Sequence, residues 1–310
     1  MDNYDVDIAM EKVKIRVFRK YIGKLSKFLL CYELINILVI LLCCMIMPLD
    51  SSSDSGFLSI LGTSCGMIFI ILYKKKQLFT YDLKRSNKKM DKSTFLKIFL
   101  CFMSIQFIWT IISISTESLL NIFGYSLAKE IQSACSPSTT IPMFIYASFL
   151  GPIFEEIIFR GVVLHSLERY GKLFAIILSS LLFGFFHGNL LQGVFATMSG
   201  FILAYVALEY SIKWSILLHI LNNFIFGDLF NMLIKDMNPL VSGILIWSIF
   251  LLFFIGAIKV VWKNRFLIRN YIKNNNTEKG FYRYAFSSTW MLIYIGIHLL
   301  LGISGIDKIV

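Results

Sequence analysis

Two adjacent carboxylates and a guanidinium, in the stretch Glu155-Glu156-Ile157-Ile158-Phe159-Arg160, interrupt an apolar run that begins near Ile141. Ionisable groups inside a membrane span are costly and face a bundle interior or a wet cavity, which marks them for function. On a helix, residues four apart share a face, whereas neighbours diverge by about 100°. Glu156 and Arg160 therefore form an i, i+4 pair able to neutralise each other. Glu155 takes a different bearing and is left to address a cavity, where a carboxylate suits general-base work. The alternative is that all three groups form one structural ion network.

Two more polar clusters follow. The first ends a span as Phe183-Gly184-Phe185-Phe186-His187. Glu155 precedes Gly171 by as many residues as His187 follows it, so a helical hairpin turning at Gly171 sets both at one depth on neighbouring helices. Without that coincidence, a lone histidine on an apolar helix reads as a hydrogen-bonded core residue. The second cluster is His219-Ile220-Leu221-Asn222-Asn223, in which His219 and Asn223 are again i, i+4. An imidazole and an amide on one face can donate to a developing oxyanion, or simply bond neighbouring helices. At about 1.5 Å per residue, straight helices leave His219 roughly 10 Å from the level of His187. Bends near Gly188, Gly193 and Gly200 are needed to close that gap. Glu33, Gln106, Glu117, Asp228 and His298 are expected near span ends or in interhelical bonds, and His165 and Glu168 at the interface. No GxSxG, HExxH or P-loop occurs, so a serine hydrolase, a zincin and an ATPase have no support.

The elements that must hold these side chains are membrane helices. Of 310 residues, 57% are hydrophobic and only 16% charged, and mean hydropathy is +0.71. Long apolar runs recur along the whole length, the pattern of an all-α, polytopic transmembrane helical bundle and not of a barrel. Spans are expected at about 28–47, 57–73, 98–123, from 141, after 171, and at 194–208, 214–234, 240–261 and 285–306. That makes nine, or eight if one run is re-entrant. The first run is too long for a signal-peptide core and reads as a retained span. The net charge of +11 comes from lysines and arginines crowded before Phe28, between Lys74 and Lys97, and between Lys263 and Arg283. Threading the chain from a cytoplasmic N-terminus puts every basic loop inside and only Lys129, Lys235 and Lys308 outside. This is a topology signal, with no nucleic-acid partner implied. The six cysteines form no CxxC and indicate neither a disulfide framework nor a cysteine metal site. No inverted repeat suggests a transporter.

Glu155-Glu156-Ile157-Ile158-Phe159-Arg160, Phe183 to His187 and His219 to Asn223 resemble, in that order, the EExxxR, FxxxH and HxxxN motifs of the CPBP (CAAX protease and bacteriocin-processing, or Abi) family of intramembrane peptidases. The resemblance covers about residues 140–230, and divides the chain into N-terminal helices with a basic cytoplasmic loop (1–139), a peptidase core (140–230) and C-terminal helices (231–310). It implies a multi-pass cell-membrane endopeptidase in which Glu155 and His187 activate water and His219 and Asn223 stabilise the oxyanion. Glu156 and Arg160 then support the site. The implied substrate is a peptide, either prenylated or carrying a leader, met within the lipid bilayer. The family also includes bacteriocin-immunity members, so a non-catalytic immunity or scaffold protein of the same fold is the alternative. Cofactor need stays open between none and zinc. Glu155, His187 and His219 could supply a three-ligand zinc site, or the same residues could act on water without a metal.

Overall fold

The structure is a computed structural model and describes residues 3–46, 55–277 and 280–309. Of the polar turn that the sequence sets between the first two spans (Ser51–Gly56), Ser51–Asp54 lie outside those residues, as does Lys279. The fold is all-α. Its helices are α1 (Asn3–Ile46), α2 (Ser55–Lys74), α3 (Lys92–Ile122), α4 (Ala128–Cys135), α5 (Ile141–Tyr170), α6 (Lys172–Phe186), α7 (Leu190–Glu209), α8 (Ile212–Ile234), α9 (Pro239–Asn274), α10 (Phe281–Phe286) and α11 (Thr289–Ser304). Among the described residues, seven of these are long and apolar enough to cross a membrane. The protein is thus a multi-pass membrane bundle. The fifth and ninth expected spans appear as α6 and α11, apolar but only 15 and 16 residues long. Two antiparallel residue pairs, Tyr125 with Lys308 and Ser126 with Asp307, tie the loop after α3 to the end of the chain.

Local chemistry sets the helix ends. Asp91 caps α3 by accepting from the Thr94 amide at 2.9 Å, and Asn189 caps α7 by accepting from Gln192 at 2.8 Å. Gly171 turns the chain between α5 and α6 with φ +121°, a conformation that only glycine adopts readily. The α6–α7 hairpin packs closely on small residues. A Cβ at Gly193 would lie 2.8 Å from the Gly184 carbonyl, and one at Gly200 would lie 3.0 Å from Ser180 Cβ. Small residues at such crossings let helix backbones approach within a membrane. The core centres on α5, α6 and α7, where Ile158, Phe159, Val163, Phe174, Phe183 and Ala204 are buried. By contrast α1 and α9 turn Leu34, Leu38, Leu41, Ile244, Leu252 and Ile255 outward, an apolar surface suited to lipid.

Tyr146–Leu150 and Ile157–Leu164 in α5, and Asn223–Leu229 in α8, are π-helical. All three flank the residues singled out for chemistry, as π turns often do at functional sites.

A candidate active site between two helices

Glu156 is held from three sides. It is fully buried on α5 and meets three partners. Arg160 Nε lies 3.3 Å from one carboxylate oxygen, the i, i+4 pair expected from spacing. His219 Nδ1, on α8, lies 3.0 Å from the other. The Ser215 hydroxyl, one turn before His219, donates to Glu156 as well and also reaches the Leu203 carbonyl of α7 at 3.1 Å. Ser215 was not anticipated, although a hydroxyl four residues before a site histidine shares its face. The guanidinium of Arg160 is buried too, with its carbon 4.3 Å from the centre of the Phe183 ring. A cation over an aromatic face gains most when desolvated.

Glu155 takes the separate bearing that helix geometry requires. Among the described residues its carboxylate makes no hydrogen bond, and its side chain keeps 21% of its exposure. One oxygen faces His219 Nε2 at 3.7 Å. The imidazole of His219 thus stands between the two glutamates, held by Glu156 through Nδ1 and presenting Nε2 to Glu155. His187, at the end of α6, donates from Nδ1 to the Phe183 carbonyl at 2.9 Å. A carbonyl only accepts, so the neutral ring keeps its Nε2 lone pair available. Phe183 links the three motifs: its ring centre is 4.9 Å from that of His187, 5.8 Å from that of His219, and beneath Arg160.

Straight-helix counting leaves the two histidines at different depths, and the ring of Phe183, one turn nearer the Gly171 end than His187, packs against both.

Asn223 is placed differently from its motif partners. Its amide donates to the Ala147 carbonyl of α5 at 3.0 Å, and its own carbonyl accepts from Asn222 at 3.1 Å. The reason lies in Pro152. Around Tyr146 the helix runs with i to i+5 bonds, as in the bond from the Gly151 amide to the Tyr146 carbonyl. The next such bond would join residue 152 to the Ala147 carbonyl, and proline has no N–H to give. Asn223 supplies the missing donor. Asp228, five residues on, grips the same turn by accepting from the Ser148 hydroxyl at 2.6 Å and the Ser138 amide at 2.8 Å.

The other polar residues do pair between helices or near their ends. Gln106 donates to Asn222 at 3.0 Å, Glu117 accepts from the Leu127 amide at 2.6 Å, and His298 Nε2 lies 3.2 Å from Glu33. At the other end of the bundle, buried Glu209 gathers the Lys88 and Lys172 ammoniums, each at 2.7 Å, and the Tyr271 hydroxyl at 3.0 Å. Glu168 there is paired with Arg85. Among the described residues, no three His, Cys, Asp or Glu side chains form a group that could hold a metal ion.

Residues 137–225, which hold all three motifs, match the family model described as "Type II CAAX prenyl endopeptidase Rce1-like". Over this segment the chain is similar to CAAX prenyl endopeptidases. A Bacillus subtilis (strain 168) protein named "Putative membrane peptidase YdiL" is 36% identical over 88 residues, which are 27% of this chain and 36% of that protein. The chain therefore spans about a third of that curated relative's length. No solved structure matches the chain.

Proposed function

We propose that the protein is an intramembrane endopeptidase using a glutamate-activated water. The observation that carries this reading is Glu155, a carboxylate without a hydrogen bond of its own, opposed at 3.7 Å by an imidazole that a second, buried glutamate holds in place. In this scheme a water between Glu155 and His187 Nε2 loses a proton to Glu155 and attacks the peptide carbonyl carbon. The oxyanion that forms is met by His219 Nε2, with the second amide hydrogen of Asn223 as a further donor. The proton held by Glu155 then passes to the leaving nitrogen as the C–N bond breaks.

The scheme sets a condition on His219. Its Nδ1–H is engaged with the Glu156 carboxylate, so donation through Nε2 requires the ring to carry both protons. Ser215 and Arg160 fix Glu156, and Glu156 fixes the ring. Preorganised donors of this kind are worth about 10²–10³ in kcat each.

The substrate in this reading is a peptide met in the bilayer, either prenylated or carrying a leader. The basic loops support a cell-membrane orientation with the N-terminus in the cytoplasm. The deciding test compares membrane and secreted peptides by mass spectrometry between wild type and strains carrying Glu155→Ala or His187→Ala. Uncleaved precursor should accumulate in both while the protein stays in the membrane at wild-type level. Full processing in both strains sinks the mechanism, and an immunity phenotype that survives both substitutions assigns a non-catalytic role instead. Activity lost to a chelator and restored by zinc would bring a metal into the scheme.

A further inference from the structure

Tyr146 opens the first π turn of α5, on the approach to the glutamates. Helix side chains ordinarily lean back toward the N-terminus, but this one does not. A Cβ built on Gly151 would lie 3.8 Å from Tyr146 Cζ, so the ring runs forward over that glycine. Glu155 follows Gly151 by one α turn on the same face, and its side chain leans back toward it. The phenol and the carboxylate thus face each other across Gly151, within electrostatic reach. Among the described residues they are not hydrogen-bonded to each other, and the Tyr146 hydroxyl has no other such partner. Both side chains are half-buried, and a further group fits between them. Tyr32 of α1 borders the same space. Its ring fills the notch left by Gly66 of α2, where a Cβ would come within 2.5 Å of it, and its centre lies 6.1 Å from that of Phe186, the neighbour of His187. Its phenol is within electrostatic reach of both Tyr146 and Glu155.

A peptide cut inside a bilayer has to be unwound at the cut, and each main-chain carbonyl freed from a helix then needs a donor that no water supplies. In the scheme above His219 meets the scissile carbonyl, while the neighbouring carbonyls of the peptide have no assigned donor. A phenol answers that need: near neutral pH it keeps its proton, so it donates without competing with Glu155 as a base. We propose that Tyr146 donates its hydroxyl hydrogen to a main-chain carbonyl of the substrate beside the scissile bond, holding the peptide across Glu155. This rests on the peptidase reading and adds to it a residue that binds the substrate without taking part in the proton transfers. Tyr32 closes the far side of the same space. It lies outside residues 137–225, so α1 takes part in enclosing the substrate.

The test is Tyr146→Phe, which removes one oxygen and keeps the ring over Gly151. The probe is a synthetic peptide spanning the cut of the precursor that accumulates in the Glu155→Ala strain, turned over by the purified full chain in detergent. A contact made equally to bound substrate and transition state raises KM and leaves kcat unchanged. Tyr146→Phe should therefore raise KM about two- to tenfold, the range of one neutral hydrogen bond, with kcat within about twofold of wild type. KM does not depend on how much active protein survives, so a partial folding defect cannot imitate this result. A fall in kcat at wild-type KM would overturn the proposal by assigning the phenol to the fold or to the oxyanion, and wild-type values of both constants would overturn it outright. In either case cleavage by wild type leaves the peptidase reading standing. If no precursor accumulates in the Glu155→Ala strain, the peptidase reading itself fails and this proposal falls with it.

Discussion

Asn223 gives the sharpest test of how this site is built, because two roles for it make different predictions in one double mutant. Asn223→Ala removes the donor that Pro152 cannot provide and leaves the Ala147 carbonyl unpaired beside a π turn. An interior carbonyl left without a partner costs about 1–3 kcal/mol. Pro152→Ala restores a backbone N–H at the position facing that carbonyl. The double variant should therefore recover at least half of the stability lost in Asn223→Ala, a coupling that a double-mutant cycle reads directly. Catalysis separates the roles. If the second amide hydrogen of Asn223 also meets the oxyanion, kcat stays down by about 10²–10³ in the double variant even though stability has returned. If Asn223 only braces the turn, activity returns with stability. The assay pairs denaturant unfolding in detergent with turnover of the processed peptide. Unchanged stability in Asn223→Ala would refute the reasoning, since the bond to Ala147 would then contribute nothing.

Three further outcomes follow from the same geometry. Ser215→Ala deletes a hydroxyl that donates to buried Glu156, and a hydrogen bond to a charged group is worth about 1.5–3 kcal/mol; steady-state kinetics should show a lower kcat at nearly constant KM as His219 loses its fixed orientation. Gly184→Ala brings a Cβ within 2.6 Å of the Gly193 carbonyl, so the α6–α7 hairpin cannot close and the protein should fail to accumulate in membranes, whereas Gly243→Ala, with nothing within 4 Å, should accumulate normally by immunoblot. The hydrogen bond from Lys88 to Glu209 raises the lysine above its ordinary value, outside the membrane spans. A raised ammonium stabilises the fold at every pH below the unfolded lysine value of about 10 and loses that contribution only as pH climbs through the folded one. Thermal unfolding of wild type minus Lys88→Gln should therefore give a difference that is flat from mildly acid to mildly alkaline pH.

Spacing alone revealed the part of the site that a regular helix encodes. Glu156 with Arg160 and the separate bearing of Glu155 follow from 3.6 residues per turn, and both appear as expected. The runs of apolar residues likewise marked the seven described helices long enough to cross a membrane, while two further expected spans are shorter apolar helices. What spacing does not give is which side chains meet across helices: His187 and His219, set roughly 10 Å apart in depth by straight counting, both pack on the Phe183 ring. Ser215 and Glu209 were passed over because a serine on an apolar helix and an acidic residue at a span end have ordinary readings, and their partners come from segments far away in the chain.

Asn223 shows what a fuller reading would have needed. The i, i+4 relation to His219 says that the two side chains leave the helix on one side, but not which partner each finds. That choice depends on what is left unpaired opposite them. A carboxylate at Glu156 takes the imidazole Nδ1–H, and the carbonyl orphaned by Pro152 takes the amide. The proline was visible all along, directly before the glutamate motif, and its missing N–H requires a donor from another helix in a medium without water. Read that way, Gly151-Pro152 and Asn223 are two halves of one device. The irregular turn that aims Glu155 into the bundle exists because α8 can satisfy it.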